Sequence, residues 1–145
     1  MKFGVGIDYS LKALLMLAER YPTVQPLRVE EIASREGIPE NYLRRLLIDL
    51  KRAGLVASQK GPSGGYMLAR SPAKITMEDV VQTIEGDYTP VECFEDGANS
   101  PCRRDENCAM REVWREVHDA VGAILRRTTL QSLAERRKTA LHFQI

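Results

Sequence analysis

The stretch VEEIASREGIPENYLRRLLIDLKRAG, residues Val29 to Gly54, decides the fold. Ile32 and Ala33 fall inward on a short helix over roughly Val29 to Glu36, and Gly37 supplies a C-terminal stop. Pro39 opens a second helix, since proline is favoured in a first turn, and that helix ends before Gly54. Leu43, Leu46, Leu47 and Leu50 form its apolar stripe. Only Gly37 and Ile38 separate the two, which is the spacing of a helix-turn-helix.

On the C-terminal side come Leu55 to Gln59, then Lys60-Gly61-Pro62-Ser63-Gly64-Gly65, then Tyr66 to Ala69. Two strand-like runs around a Gly/Pro turn predict a hairpin, and a hairpin in this position is a wing. On the N-terminal side, Leu11, Leu14, Leu15 and Ala18 predict a helix over about Asp8 to Arg20, stopped by Pro22. Further on, Thr76 and Asp79 have capping-box spacing for a helix ending at Gly86. Residues 87–107 read as loop. A long helix follows from about Asn107 to Arg127, with Met110, Val113, Trp114, Val117, Val121, Ile124 and Leu125 on one face. A last short helix runs from about Leu130 to Arg137. The expected class is mainly α: a winged helix-turn-helix domain over 1–75, then a sensor loop and a long dimerisation helix over 76–145. The stripe through Val113, Trp114, Val117, Val121 and Ile124 is expected to pack against a second copy, giving a homodimer.

Hydrophobic residues make up 43% of the 145, enough for a packed core and against a wholly disordered chain. Net charge is +1, but residues 1–75 carry 12 Lys/Arg against 7 Asp/Glu, whereas residues 76–145 carry 9 against 13. A basic half joined to an acidic half suits a nucleic-acid reader with a separate sensing or assembly module. The longest apolar stretch, Ala13 to Ala18, is too short to span a bilayer, and no signal-peptide pattern is visible. The expected setting is cytoplasmic, with no membrane partner and no small-molecule substrate.

With the leucine stripe of the third helix inward, Asn41, Arg45, Ile48 and Arg52 fall on the opposite face, flanked by Arg44 and Lys51. A recognition helix presents such residues to the major groove of double-stranded DNA. Arg45 has the fork for guanine, Asn41 suits adenine or a phosphate, and Ile48 suits a thymine methyl. Lys51 and Arg52 are expected on phosphates. Lys60 in the glycine-rich turn reaches a minor groove or a phosphate.

The block Ile38 to Leu47, with Leu50 to Val56 and Lys60-Gly61-Pro62-Ser63-Gly64-Gly65-Tyr66, resembles the Rrf family of regulators, including its IscR- and NsrR-like iron–sulfur members. The similarity extends from Met1-Lys2-Phe3 to the long helix bearing Trp114. It implies a winged-helix homodimer with Asn41, Arg44, Arg45 and Lys60 at DNA-contacting positions. Two departures are visible. Lys60 replaces the usual arginine of the wing, and Arg44-Arg45 stand where IscR-like members have an acidic residue and Gln, so a different operator is implied.

Cys93, Cys102 and Cys108 lie within sixteen residues. An odd cluster in a chain without a secretory signal points to metal or redox chemistry rather than a disulfide framework. The Cys-x8-Cys-x5-Cys pattern resembles the family's cluster-binding loop, with a longer first gap than the commoner five. The resemblance implies a 2Fe–2S or 4Fe–4S cluster. Thiolates are its standard ligands, and about four protein ligands are needed. Arg111 occupies the place where some members have a ligating histidine, leaving Asp8, Asp105, Glu106 or His118. His118 reads more simply as a surface or interface residue. Asp8, in Gly6-Ile7-Asp8-Tyr9, aligns with an acidic ligand donated across the dimer in NsrR-like members. Equally, it reads as a helix N-cap or first-turn acid.

The expected function is a DNA-binding transcription regulator, a repressor controlled by a cluster. The alternatives are a thiol switch, which needs two cysteines and leaves one idle, and a zinc site, for which no Cys-x2-Cys spacing is present. An enzyme is not expected, because no base–nucleophile pairing is suggested by spacing.

Overall fold

The computed structural model describes residues 2–23, 25–90 and 108–143. Among these residues six helices and one hairpin follow in order: α1 Val5–Glu19, α2 Val29–Glu36, α3 Glu40–Arg52, β1 Val56–Gln59, β2 Gly65–Leu68, α4 Met77–Glu85, α5 Ala109–Arg127 and α6 Leu130–His142. A 3-10 turn, Pro72–Lys74, joins the hairpin to α4. This is a mainly helical winged helix-turn-helix.

The α2–α3 turn forms as its residues dictate. Gly37 is left-handed (φ 65°), a conformation that costs glycine little, and its N–H returns to the Ala33 carbonyl. Pro39 is the N-cap rather than the first residue of α3. Leu43, Leu46, Leu47 and Leu50 are all buried. Leu43, Leu47 and Leu50 pack with Leu14 and Leu17 of α1, Ile32 of α2 and Leu55 before the hairpin.

Strands β1 and β2 pair antiparallel, Val56 opposite Leu68 and Gln59 opposite Gly65. A third segment completes the wing. Leu27 exchanges both backbone hydrogen bonds with Tyr66, at 2.9 and 2.8 Å. Thus the α1–α2 connection adds one bridging residue, Leu27, to the edge of the hairpin, a contact the local pattern did not announce.

Two helix boundaries differ from the sequence expectation. Helix α1 begins at Val5 instead of Asp8, because Gly4 is the extended N-cap and Ile7 is buried against Val81, Tyr88 and Leu125. Asp8 therefore lies inside the first turn and is not the N-cap. Helix α6 continues past Arg137 to His142, started by a capping box between Thr129 and Ser132. It also turns back onto the first half. Leu130 is fully buried in the main core with Ile75 and Val80, and Arg137 pairs at 2.6 Å with Glu36 of α2. The buried core thus crosses residue 75.

The α5 stripe divides into two parts. Val121, Gly122 and Leu125 turn inward, Val121 and Leu125 packing with Val81 and Tyr88 of the same chain. Met110, Val113, Trp114 and Ile124 stay exposed among the described residues, and Val117 is half-buried. Length explains why Met110, Val113 and Trp114 stay uncovered, whereas Ile124, next to buried Leu125, is exposed because it lies on another side of the helix. At about 1.5 Å per residue, α4 is about 13 Å long and α5 about 28 Å, so α4 covers only part of its neighbour.

Candidate nucleic-acid interface

Helix α3 turns Asn41, Arg44, Arg45, Ile48, Lys51 and Arg52 to solvent, over the buried leucine stripe. The exposure of Ile48 is 44%, unusual for a large aliphatic on a polar face. The predicted residues thus share one surface, but their side chains are engaged differently. Arg44 is clasped by two carboxylates, Glu30 of α2 at 2.6 Å and Glu40 one turn back at 2.7 Å. Those bonds, Glu40 first and then Glu30, push the guanidinium pKa further up. Arg44 therefore ties α2 to α3 through one guanidinium nitrogen. Lys51 donates to the Ser58 hydroxyl on β1 at 2.6 Å, and Arg52 lies 3.6 Å from Asp49. Arg45 has no carboxylate partner among the described residues and lies over the Tyr42 ring, 5.4 Å from its centroid.

The wing is docked by close backbone approach. Gly65 has φ 147°, and a Cβ there would lie 2.3 Å from the Leu27 carbonyl oxygen. At Gly64 a Cβ would lie 2.1 Å from the Gln59 carbonyl oxygen. The Gly64-Gly65 pair is thus what lets the hairpin approach both the end of β1 at Gln59 and the backbone at Leu27. Arg28, just before α2, donates to the Pro62 carbonyl at the wing tip. A groove of about 420 Å³ between wing and helices is lined by Arg28, Arg44, Lys60 and Glu30, among others. Sequence periodicity missed Arg28, because its partner is 34 residues away.

The cysteine region is only partly on view. Cys93 and Cys102, with Asp105 and Glu106, lie outside the described residues. Cys108 is the N-cap of α5, half-buried, and among the described residues its sulfur makes no capping bond and no disulfide. Asp8 is exposed and pairs with Lys12 at 2.8 Å. His118 lies ten residues along α5 from Cys108, about 15 Å at the helical rise, and stacks on Tyr88 (centroids 5.2 Å). That distance removes it from any site centred on Cys108 of the same chain. No metal-ligating group of three assembles among the described residues.

The approach to residue 91 is anchored by a cluster the sequence did not reveal. Tyr88 donates to Glu78 of α4 at 2.7 Å, and Arg126 of α5 reaches the same oxygen at 3.1 Å. Burial first, then the Glu78 carboxylate, pushes the phenol pKa up to about 12, so Tyr88 remains a donor. Among the described residues no helix is long and apolar enough to cross a membrane.

Comparison with known proteins gives consistent findings. The family model described as "Rrf2: Iron-dependent Transcriptional regulator" matches residues 5–136. An rrf2-like HTH-type transcriptional regulator of Rhodobacter capsulatus is 38% identical over 132 residues, 88% of each chain. The HTH-type transcriptional regulator CymR of Bacillus subtilis is 37% identical over 134 residues, 92% of this chain and 90% of its own. The solved structure of that protein, described as the global cysteine regulator, aligns with a TM-score of 0.78 at 34% identity, covering 94% of this chain and 98% of its own. A structure described as T. potens IscR aligns with a TM-score of 0.78 at 28% identity, covering 97% and 90%.

Proposed function

Because the chain belongs to the Rrf2 family of transcription regulators, we propose that it reads double-stranded DNA as a homodimer and that chemistry at its three cysteines sets the affinity. The observation that carries the DNA reading is the outer face of α3. Asn41, Arg45 and Ile48 stand exposed over a buried stripe, beside a wing that presents Lys60. Arg45 pairs with a guanine edge, Asn41 with adenine or a phosphate, and Ile48 touches a thymine methyl. Lys51, Arg52 and Lys60 follow the backbone. A second copy covers the exposed α5 residues Met110, Val113, Trp114 and Ile124, placing two reading heads on one duplex. Occupying an operator makes the protein a repressor wherever the site overlaps a promoter.

For the cysteines, an iron–sulfur cluster of 2Fe–2S or 4Fe–4S type is the favoured occupant. The donor set fits in part: Cys108 has a free sulfur, and with Cys93 and Cys102 it would supply three thiolates. Bound there, the cluster would supply a labile iron centre whose loss or oxidation is the signal. Asp8 of the other subunit is the proposed fourth ligand, and taking that role requires it to leave Lys12. A thiol switch without iron is the second reading, favoured by the partial exposure of Cys108. The iron dependence in the family's description supports the first.

The DNA reading is tested on two duplexes: the tightest one the parent selects from a random-sequence library, and a random-sequence duplex. Arg45→Ala is expected to cost about 1–3 kcal/mol on the selected duplex and to relax its sequence preference. Lys51→Ala is expected to weaken both duplexes alike and to flatten the salt dependence. Equal losses on both duplexes for Arg45→Ala would move that residue to the backbone.

A further inference from the structure

We propose that Tyr42 is a positioning residue for base recognition: its ring holds the Arg45 guanidinium by the face and leaves the hydrogen-bonding edge free. This rests on the reading that Arg45 meets a base. Three observations converge on it.

The first is how the other cations of α3 are held. Arg44 is bound by Glu30 and Glu40, Arg52 lies near Asp49, and Lys51 donates to Ser58. In each the polar head is directed at an oxygen acceptor. Arg45 makes no ion pair among the described residues. Its guanidinium carbon lies 5.4 Å from the Tyr42 centroid, one helical turn back at the i−3 position where side chains meet. A guanidinium is planar, and its five N–H donors point outward in that plane. A guanidinium stacked flat on an aromatic ring uses none of those donors. Bidentate pairing with guanine O6 and N7 needs two donors along one edge. Ring contact is therefore the restraint that orders Arg45 without competing for its donors, whereas a carboxylate would occupy the same edge as the base.

The second is that the Tyr42 ring is itself fixed. Tyr9 of α1 meets it edge to face, with centroids 5.9 Å apart and planes at 75°. The third is room for its hydroxyl at Gly6, where an added Cβ would lie 2.8 Å from Tyr42 Oη. Buried Gly6 and half-buried Tyr42 thus fit together across the α1–α3 junction. A ring held from α1 forms a firm platform, and a side chain ordered before binding loses less freedom when it binds.

The test uses the full chain on the selected and random-sequence duplexes at one salt concentration, reading the ratio of the two affinities. Tyr42→Leu is expected to lower that ratio about 3- to 10-fold while leaving the random-duplex affinity unchanged. Tyr42→Phe, which keeps the ring, is expected to preserve the ratio. In an Arg45→Ala background, Tyr42→Leu is expected to change the ratio no further, since the two substitutions then remove one shared contact. Equal losses in both backgrounds, or a loss in Tyr42→Phe matching that in Tyr42→Leu, would overturn the proposal and leave Tyr42 as helix packing. An unchanged ratio for Arg45→Ala alone would remove the premise, and that is a different pattern from equal losses around the cycle. Should Tyr42→Leu fail to fold, proton NMR of the parent decides. Arg45 side-chain protons shifted upfield by the ring are expected, and random-coil shifts would overturn the proposal.

Discussion

Val113→Glu is expected to give a folded monomer that binds its operator at least about 100-fold more weakly than the parent, because two linked reading heads gain affinity that one head lacks. Val113 is exposed on α5 beyond the reach of α4, so a charge there leaves the chain's own core intact. At a twofold interface the same charge is buried unpaired twice, which costs several kcal/mol. Light scattering reads the mass and fluorescence anisotropy reads the affinity. Val121 makes the informative contrast, because it packs with Val81 and Leu125 inside the chain. Val121→Glu is expected to lower the melting temperature as well. A Val113→Glu chain that remains dimeric would show that the exposed stripe lies outside the interface.

Gly65→Ala is expected to cost about 2–4 kcal/mol of stability and to weaken binding to every duplex. The new Cβ would meet the Leu27 carbonyl oxygen at 2.3 Å, in a backbone conformation that disfavours any side chain. Relief requires the hairpin to leave Leu27, which breaks both hydrogen bonds to Tyr66 and releases the wing from α2. Gly61→Ala is the control. Its φ of 106° also disfavours alanine, but nothing lies within 4 Å of the added carbon, so a smaller cost of about 1 kcal/mol is expected. Denaturant unfolding ranks the two, and equal costs would show that wing docking does not depend on the close approach at Gly65.

What could be read from the sequence was local. The α2–α3 turn follows from Gly37, Pro39 and four leucines, and the start of α4 from Thr76 and Asp79 three residues apart, where both capping bonds form. What could not be read depends on residues distant in the chain. The pairing of Leu27 with Tyr66, the hold of Arg28 on Pro62 and the return of Leu130 to the core each join separate segments. Periodicity placed Arg44 outward correctly, yet it could not show that Glu30 and Glu40 already hold it. Likewise it gave α5 one apolar face. How far along that helix the chain covers itself depends on the shorter length of α4, which enters only once both helices are placed. Asp8 was equally legible as a cap or a ligand. The extended Gly4 removes the N-cap role, and the pairing with Lys12 supplies the role of a first-turn acid.

Whether the cysteines govern DNA reading is decided by one titration on the selected duplex. The chain is purified without oxygen, its iron and sulfide are counted, and the same sample is titrated before and after chelation of iron. Iron and sulfide are expected in the chain, with an operator affinity that changes when they are removed and loss of both properties in Cys108→Ser with the helices intact. An affinity unchanged by iron removal, by oxidation and by Cys108→Ser would contradict control by the cysteines.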